Sequence, residues 1–235
     1  MNLYFLTEDS KSFRKVLPVW LNYVLPNLSE IKSIHDFQRN GNYYMAQDGG
    51  GYPCIRNRVD ETIRTFVENR VPLDCFVVFW DGDARSEAEI QADAEAFHTI
   101  FARYDASFRH KLIMMKHCFE TWLLGNRAVY PQDGNILQSF EPFAEFYNVS
   151  ADDPEEMLCP SNYTSVSMFH FRYLQEMLRA STPKKNYSKG SPGVAAEETY
   201  WKELCLRVDE TGDLRSFAEF LQFLRSCKEI NSDSK

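Results

Sequence analysis

The sequence has little positive charge for a protein that might bind nucleic acid. Its 26 lysine and arginine residues are outnumbered by 34 aspartate and glutamate residues, which leaves a formal net charge of −8. This balance disfavours binding of nucleic acid over a broad basic surface, because such binding depends on Lys and Arg contacts with phosphates. Any nucleic-acid substrate must therefore be held locally, by metal ions that neutralise carboxylates, by a basic patch or by a partner subunit.

The sequence also lacks a long apolar run and a metal-type cysteine pattern. Residues 1–6 are apolar, but Glu8, Asp9 and Lys11 follow and leave no signal-peptide h-region or cleavage site. No other run approaches the length that crosses a bilayer. The six cysteines form neither a C-x-x-C pair nor a Cys/His cluster, so no zinc site or disulfide framework is predicted. We expect a cytoplasmic protein with reduced cysteines and no membrane contact.

Short apolar runs alternate with segments of helical period in the first half of the chain. The runs are Leu3–Leu6, Tyr43–Ala46, Cys75–Trp80 and Leu112–Met115. Each is followed by a segment that favours a helix, and Ser86 with Glu89 forms a capping box for the third. This βαβαβαβα series predicts an α/β fold with a mostly parallel, four-stranded sheet flanked by helices.

The pattern changes after about residue 130. Amphipathic spacing predicts helices over Met168–Leu178 and Ser216–Leu224, joined by polar loops. A chain of 235 residues with 44% apolar content can bury one sizeable core and a smaller attached layer. We therefore predict one domain at residues 1–130 and a mainly helical C-terminal cap at residues 131–235.

Acidic residues follow two of the predicted strands at their carboxyl ends. Glu8 comes just after the first strand, and Asp81 and Asp83 come just after the third. Ligand sites in open parallel sheets form beyond these strand ends. Carboxylates that converge there need a cation or a shared proton. The pattern predicts a site for Mg²⁺ or Mn²⁺, an ion that prefers oxygen ligands and can activate water for phosphoryl transfer.

This ordered set of residues resembles the Toprim domain of topoisomerases, DnaG-type primases and OLD-type nucleases, over roughly residues 1–127. Three further segments are similar to small Toprim-like proteins of prokaryotic defence islands, including RloB-type proteins. They are the turn Gly49–Tyr52, the segment Phe119–Leu124 and the later Tyr187-Ser188-Lys189.

The resemblance implies a role for each matching residue. Glu8 would be a metal ligand or the acid/base that handles the nucleophile or leaving oxygen, and Asp81 and Asp83 would hold Mg²⁺. Glu120 matches an acidic residue that supplies a second metal position, and Lys189 would contact the scissile phosphate. The implied protein is a nuclease that cleaves DNA or RNA with one or two metal ions. Its implied setting is antiphage defence, with an ATPase or sensor as partner.

One departure from the Toprim pattern follows Glu8, where Asp9 replaces the usual Gly. Asp9 is interpreted as the N-cap of the first helix, with a further metal ligand as the alternative. The other candidates also have purely structural interpretations. These are a turn for Asp81 and Asp83, a helix-associated acid for Glu8 and Glu120, and a solvated cation for Lys189.

Several basic residues are predicted to form a modest phosphate-binding rim. They are Arg56, Arg58, Lys116, His117, Arg127, Lys184, Lys185 and Lys189. Two other classes of function stay open. A non-catalytic module that uses the Toprim scaffold to bind a partner ATPase or a nucleotide predicts little metal affinity and no cleavage. A receiver-like phospho-acceptor domain requires a fifth βα unit, which the pattern does not show.

Overall fold

The computed structural model describes residues 1–9, 11–83, 85–131 and 137–233, except for the side chains of 231–233. The chain forms two compact units. The first consists of residues 1–80, 85–114 and 223–235, and the second of residues 81–84 and 115–222. The units interleave in sequence, and the division into domains 1–130 and 131–235 stays a prediction.

A five-stranded parallel sheet has the order β2-β3-β1-β4-β5. The strands are β1 (Asn2–Thr7), β2 (Ser29–Glu30), β3 (Tyr43–Asp48), β4 (Cys75–Asp81) and β5 (Arg109–Met115). The four predicted strands are all present, which confirms the α/β class. The sheet nevertheless has five strands rather than four, because the exposed pair Ser29–Glu30 adds an edge strand beside β3. Two exposed polar residues carry no apolar pattern that could have predicted it.

The helices agree with the predicted segments and add others. They are α1 (Phe13–Val24), α2 (Cys54–Glu68), α3 (Glu87–Ala102), α4 (Phe119–Leu123), α5 (Glu141–Phe146), α6 (Val166–Ala180), α7 (Glu198–Thr211) and α8 (Arg215–Asp233). The capping box of α3 is confirmed, since Ser86 accepts the Glu89 N–H and the Glu89 carboxylate accepts the Ser86 N–H. Among the described residues, no helix is long and apolar enough to span a membrane.

The core of the first unit lies against the sheet. All six residues of β1 are buried, as are the first six of β4, in keeping with central strands of a parallel sheet. Helix α2 buries Ile55, Val59, Ile63 and Phe66 on one face, at the spacing of an amphipathic helix. This packing fixes the strand ends and the turn before α2, where several of the predicted site residues lie.

The core of the second unit is rich in aromatic side chains. Trp122 of α4 stacks on Phe220 of α8 with ring centroids 5.8 Å apart. The Trp122 Nε1–H donates to the Ser216 hydroxyl at 2.6 Å. Helix α4 is thus held by packing and by a buried hydrogen bond, although it has only five residues.

Candidate functional site

The Asp-Gly-Asp segment after β4 is fixed by its backbone. Within the second unit, the Gly82 N–H donates to the Met115 carbonyl at 2.7 Å, and the Asp83 N–H donates to the His117 carbonyl at 2.9 Å. Asp83 has a φ of 45°, a left-handed conformation that is uncommon outside glycine and is tolerated by Asp. The turn interpretation of this segment is therefore correct as local structure.

Asp83 is tied to two neighbours in the second unit. Its carboxylate accepts the hydroxyl of Ser167. Its carbonyl contacts Nδ1 of His117 at 3.0 Å, and Nε2 of the same ring contacts the Glu155 carbonyl at 3.1 Å. Both ring nitrogens of His117 are thus engaged by backbone carbonyls, which favours a structural role for this histidine over a phosphate contact.

Glu120 lies in the first turn of α4 and is fully buried. The Tyr187 hydroxyl donates to its Oε1 at 2.8 Å, and the Lys189 ammonium lies 3.8 Å from its Oε2. A buried carboxylate is costly unless hydrogen-bonded and paired, and these two side chains supply both needs. The Tyr187-Ser188-Lys189 segment therefore folds back onto α4, and Lys189 lies beside a buried carboxylate.

The charges of Asp81 and Glu120 both act on the buried thiol of Cys118. Burial raises the pKa of Cys118 well above its usual value, and the charges of Glu120 and Asp81 raise it further. Cys118 is consequently a protonated thiol and no nucleophile at neutral pH. Of the predicted site residues, the second unit brings Glu120 and Lys189 together, and the charge of Asp81 acts on Cys118, two residues before Glu120.

A buried histidine that the sequence analysis missed supports the turn that carries Glu120. Burial lowers the pKa of His170 to about 3, and the nearby His117 lowers it further, so the ring is neutral. Its Nε2–H donates to the Met157 carbonyl at 2.9 Å, and its Nδ1 accepts the Thr121 hydroxyl at 2.8 Å. A polar residue on the apolar face of α6 was the only available signal, and it is a weak one.

Glu8 is held within the first unit, at the turn that precedes α2. Its N–H donates to the Phe79 carbonyl, and its Oε1 accepts the Tyr52 N–H at 3.0 Å. Gly50 and Gly51 have φ values of 80° and 74°, which glycine adopts readily. The Gly50 N–H is taken by the Asp48 side chain at 2.8 Å. Two N–H groups of this turn therefore already serve carboxylates, which weakens the interpretation of the glycines as a phosphate cradle.

The interpretation of Asp9 as the helix N-cap is wrong. The N-cap position of α1 is Ser12. The Asp9 Oδ1 instead accepts the N–H groups of Lys11 at 2.7 Å and of Ser12 at 2.9 Å, which closes a turn ahead of the helix. Asp is favoured in such turns as well as at helix N-caps, and here the turn preference prevails.

A second buried carboxylate, Asp93 of α3, was not among the predicted site residues. It is only 2% exposed. Its Oδ1 accepts a guanidinium N–H of Arg56 and the Tyr52 hydroxyl, the latter at 3.2 Å, and its Oδ2 accepts an N–H of Arg85. Helical spacing could have found it, because Asp93 lies four residues before Phe97 on the buried face of α3.

The predicted basic rim is largely engaged in ion pairs. The pairs are Lys116 with Glu156, Arg127 with Glu203 and Glu210, Lys185 with Glu197, and Arg58 with Glu61. Pairs that reach solvent contribute little to stability, so they can exchange partners. Their carboxylates nevertheless offset much of the positive potential that the sequence analysis assigned to the rim.

The predicted metal ligands are carboxylates, the type of ligand that Mg²⁺ and Mn²⁺ prefer, but few of them are grouped together. In the described part of the chain, no group of three or more His, Cys, Asp or Glu side chains is arranged to hold a metal ion. Mg²⁺ usually keeps several waters and is bound through one or two carboxylates. Asp81 and Glu120 are compatible with that mode, whereas a complete protein cage is not described.

No family model, curated protein or solved structure matches the chain. The Toprim resemblance therefore rests on the residues themselves, and the activity it implies is treated below as a proposal.

Proposed function

We propose that the chain is a divalent-metal-dependent nuclease that hydrolyses phosphodiester bonds of DNA or RNA. The observation that carries the proposal is the cluster in the second unit. The buried Glu120 carboxylate accepts the Tyr187 hydroxyl at 2.8 Å and lies 3.8 Å from the Lys189 ammonium, and Asp81 follows β4 in the same unit. Acidic ligands beside a cation are what a site for metal and phosphate needs.

The cluster suggests a division of roles. Asp81 and Glu120 would hold the metal ion together with waters, and Asp83 and Glu8 are the further ligands predicted from the sequence. The ion would neutralise developing charge and activate water when bound. Lys189 would orient a phosphate oxygen, since its side chain is 43% exposed and reaches solvent. Tyr187 would hold the Glu120 carboxylate in place through its hydroxyl.

A cleavage assay tests this proposal. Wild type, Glu8→Ala and Asp81→Ala are incubated with supercoiled DNA, single-stranded DNA and total RNA, in Mg²⁺, Mn²⁺ or EDTA. We expect cleavage of at least one substrate by the wild type, its loss in EDTA, and a decrease of about 100-fold in both variants, the scale of losing a group that stabilises the transition state.

Asp105→Ala is the matched control, because Asp105 is an exposed carboxylate in the loop after α3. It should cleave at the wild-type rate. Undiminished cleavage by Glu8→Ala and Asp81→Ala, with folding intact, would rule out the proposed site.

The alternative is a non-catalytic module on the same scaffold that binds a partner ATPase or a nucleotide. One observation favours it: in the described part of the chain no three-residue metal group is formed. This alternative predicts that Mg²⁺ and Mn²⁺ neither produce cleavage nor raise the melting temperature. Under the nuclease proposal, the setting implied by the resemblance is a defence effector controlled by an ATPase or sensor.

A further inference from the structure

Two arginines converge on one buried carboxylate in the first unit. Arg56 of α2 and Arg85, just ahead of α3, both form ion pairs with Asp93, whose side chain is only 4% exposed. Two guanidinium groups thus face this one buried carboxylate, and the exposed Glu89 carboxylate of α3 also interacts electrostatically with Arg85. The buried carboxylate holds both guanidiniums in fixed positions, so the order that a ligand would otherwise impose already exists.

The two guanidiniums have more donors than Asp93 can accept. Each has five N–H groups, and Asp93 has only two oxygens, one of which also accepts the Tyr52 hydroxyl. The Arg56 Nε is buried and has no hydrogen-bond partner among the described residues. A buried donor without an acceptor is rare in folded proteins.

Tyr52 adds an aromatic surface to this pair of cations. Its ring centroid lies 3.9 Å from the Arg85 guanidinium carbon and 5.4 Å from that of Arg56. The residue remains 43% exposed despite these contacts. An exposed aromatic ring beside guanidiniums is the combination that single-stranded nucleic acids bind, with the base on the ring and the phosphate on the cations.

We propose that Tyr52, Arg56 and Arg85 form a nucleotide-binding site, in which the two guanidiniums hold a backbone phosphate and Tyr52 stacks on the adjacent base. The choice of a nucleic-acid strand as ligand rests on the proposed nuclease function. The Tyr52 N–H donates to Glu8, which links this site directly to a predicted catalytic residue of the same unit. Under this proposal, the first unit holds one backbone phosphate of the substrate and the base next to it.

Fluorescence anisotropy with a labelled single-stranded oligonucleotide of about eight nucleotides tests the site, as DNA and as RNA. The titrations are done in EDTA, so that binding is measured without cleavage. We expect saturable binding by the wild type. Arg85→Gln and Arg56→Gln should weaken it about tenfold, the effect of losing one charge-assisted hydrogen bond. Tyr52→Leu should weaken it by a similar factor through lost stacking.

The matched control is Arg64→Gln on the same helix, because Arg64 is an exposed cation outside the proposed site. It should change the affinity less than twofold. Arg85→Lys keeps the positive charge and should bind better than Arg85→Gln. If Arg85→Gln fails to fold, the comparison of Arg85→Lys with the wild type tests the guanidinium. Circular dichroism establishes folding of each variant.

Competition identifies the ligand chemistry. A nucleoside monophosphate should displace the oligonucleotide at a lower concentration than inorganic phosphate does. Equal displacement by both would remove the base-stacking part of the proposal. The site is overturned if the wild type shows no saturable binding, or if Arg64→Gln weakens binding as much as the Arg85 and Tyr52 variants do.

The two proposals can fail separately. Arginine-dependent binding by a protein that cleaves nothing would sink the nuclease and leave this site standing. Metal-dependent cleavage by a protein whose Tyr52 and Arg85 variants cleave and bind like the wild type would do the reverse.

Discussion

Asp93 in the first unit and Glu120 in the second are both buried carboxylates, and they differ in how they are neutralised. Asp93 receives two guanidiniums and the Tyr52 hydroxyl. Glu120 receives the Tyr187 hydroxyl at 2.8 Å and an ammonium at 3.8 Å, which is longer than a hydrogen bond. Asp93 therefore anchors its cations, whereas Glu120 has a cation that can move to a ligand. Burial alone does not distinguish the two, but the number and distance of the cations do.

The largest effect on stability is expected at Asp93. Asp93→Asn removes the carboxylate with which Arg56 and Arg85 both form ion pairs. Removal of one partner of a buried ion pair costs about 3 to 5 kcal/mol, and we expect about 3 kcal/mol here because Arg56 is partly exposed. Urea unfolding measures the difference in the free energy of unfolding.

Asp60→Asn is the control for that comparison. Asp60 pairs with Arg103, whose side chain is 61% exposed. The loss should be about 0 to 1 kcal/mol, as for other exposed pairs. Equal losses at Asp60 and Asp93 would mean that Asp93 is not the anchor that its burial indicates.

A smaller effect, dependent on pH, is expected from His170, which supports the turn that carries Glu120. The pKa of His170 is lowered to about 3 in the folded chain, whereas the unfolded chain has the ordinary value of about 6.5. Between these values the unfolded state binds a proton that the folded state does not. Stability therefore falls as the pH falls through this window, by about 1.4 kcal/mol per pH unit.

Urea unfolding of wild type and His170→Gln at several pH values between 7 and 4 measures this dependence. The glutamine can keep a donor for the Met157 carbonyl and does not titrate. The difference in the free energy of unfolding between the two proteins should therefore change by about 1.4 kcal/mol per pH unit. The exposed residue His35 provides the control, and His35→Gln should leave the slope unchanged. A His170→Gln slope equal to that of the wild type would show that the histidine titrates normally.

The smallest effect is expected at Tyr187. Tyr187→Phe removes a hydrogen bond to the buried Glu120 while keeping the ring, at a cost of about 1 to 2 kcal/mol. The same substitution at the exposed Tyr52 should cost less, because water can replace the hydroxyl. Thermal unfolding compares the two variants. A larger loss of stability for Tyr52→Phe than for Tyr187→Phe would contradict this expectation.

The strands and the capping box could be predicted because they depend on local patterns. Apolar runs specified four strands, and Ser86 with Glu89 specified the start of α3. Tertiary contacts could not be predicted in this way. Tyr187 meets Glu120 from 67 residues away, and only the family resemblance drew attention to both. Asp93 was missed because a charged residue on a helix is usually solvated, and only its partners from other segments explain its burial.

Cleavage by Glu120→Gln, compared with wild type over a range of Mn²⁺ concentrations, tests the central claim most directly. The substitution keeps the size of the side chain and an acceptor for Tyr187 but removes the charge that would bind the ion. The account predicts a wild type whose cleavage saturates with Mn²⁺, and a variant that cleaves about 100-fold more slowly or needs far more Mn²⁺. Equal rates and equal Mn²⁺ dependence for the two folded proteins would contradict the account.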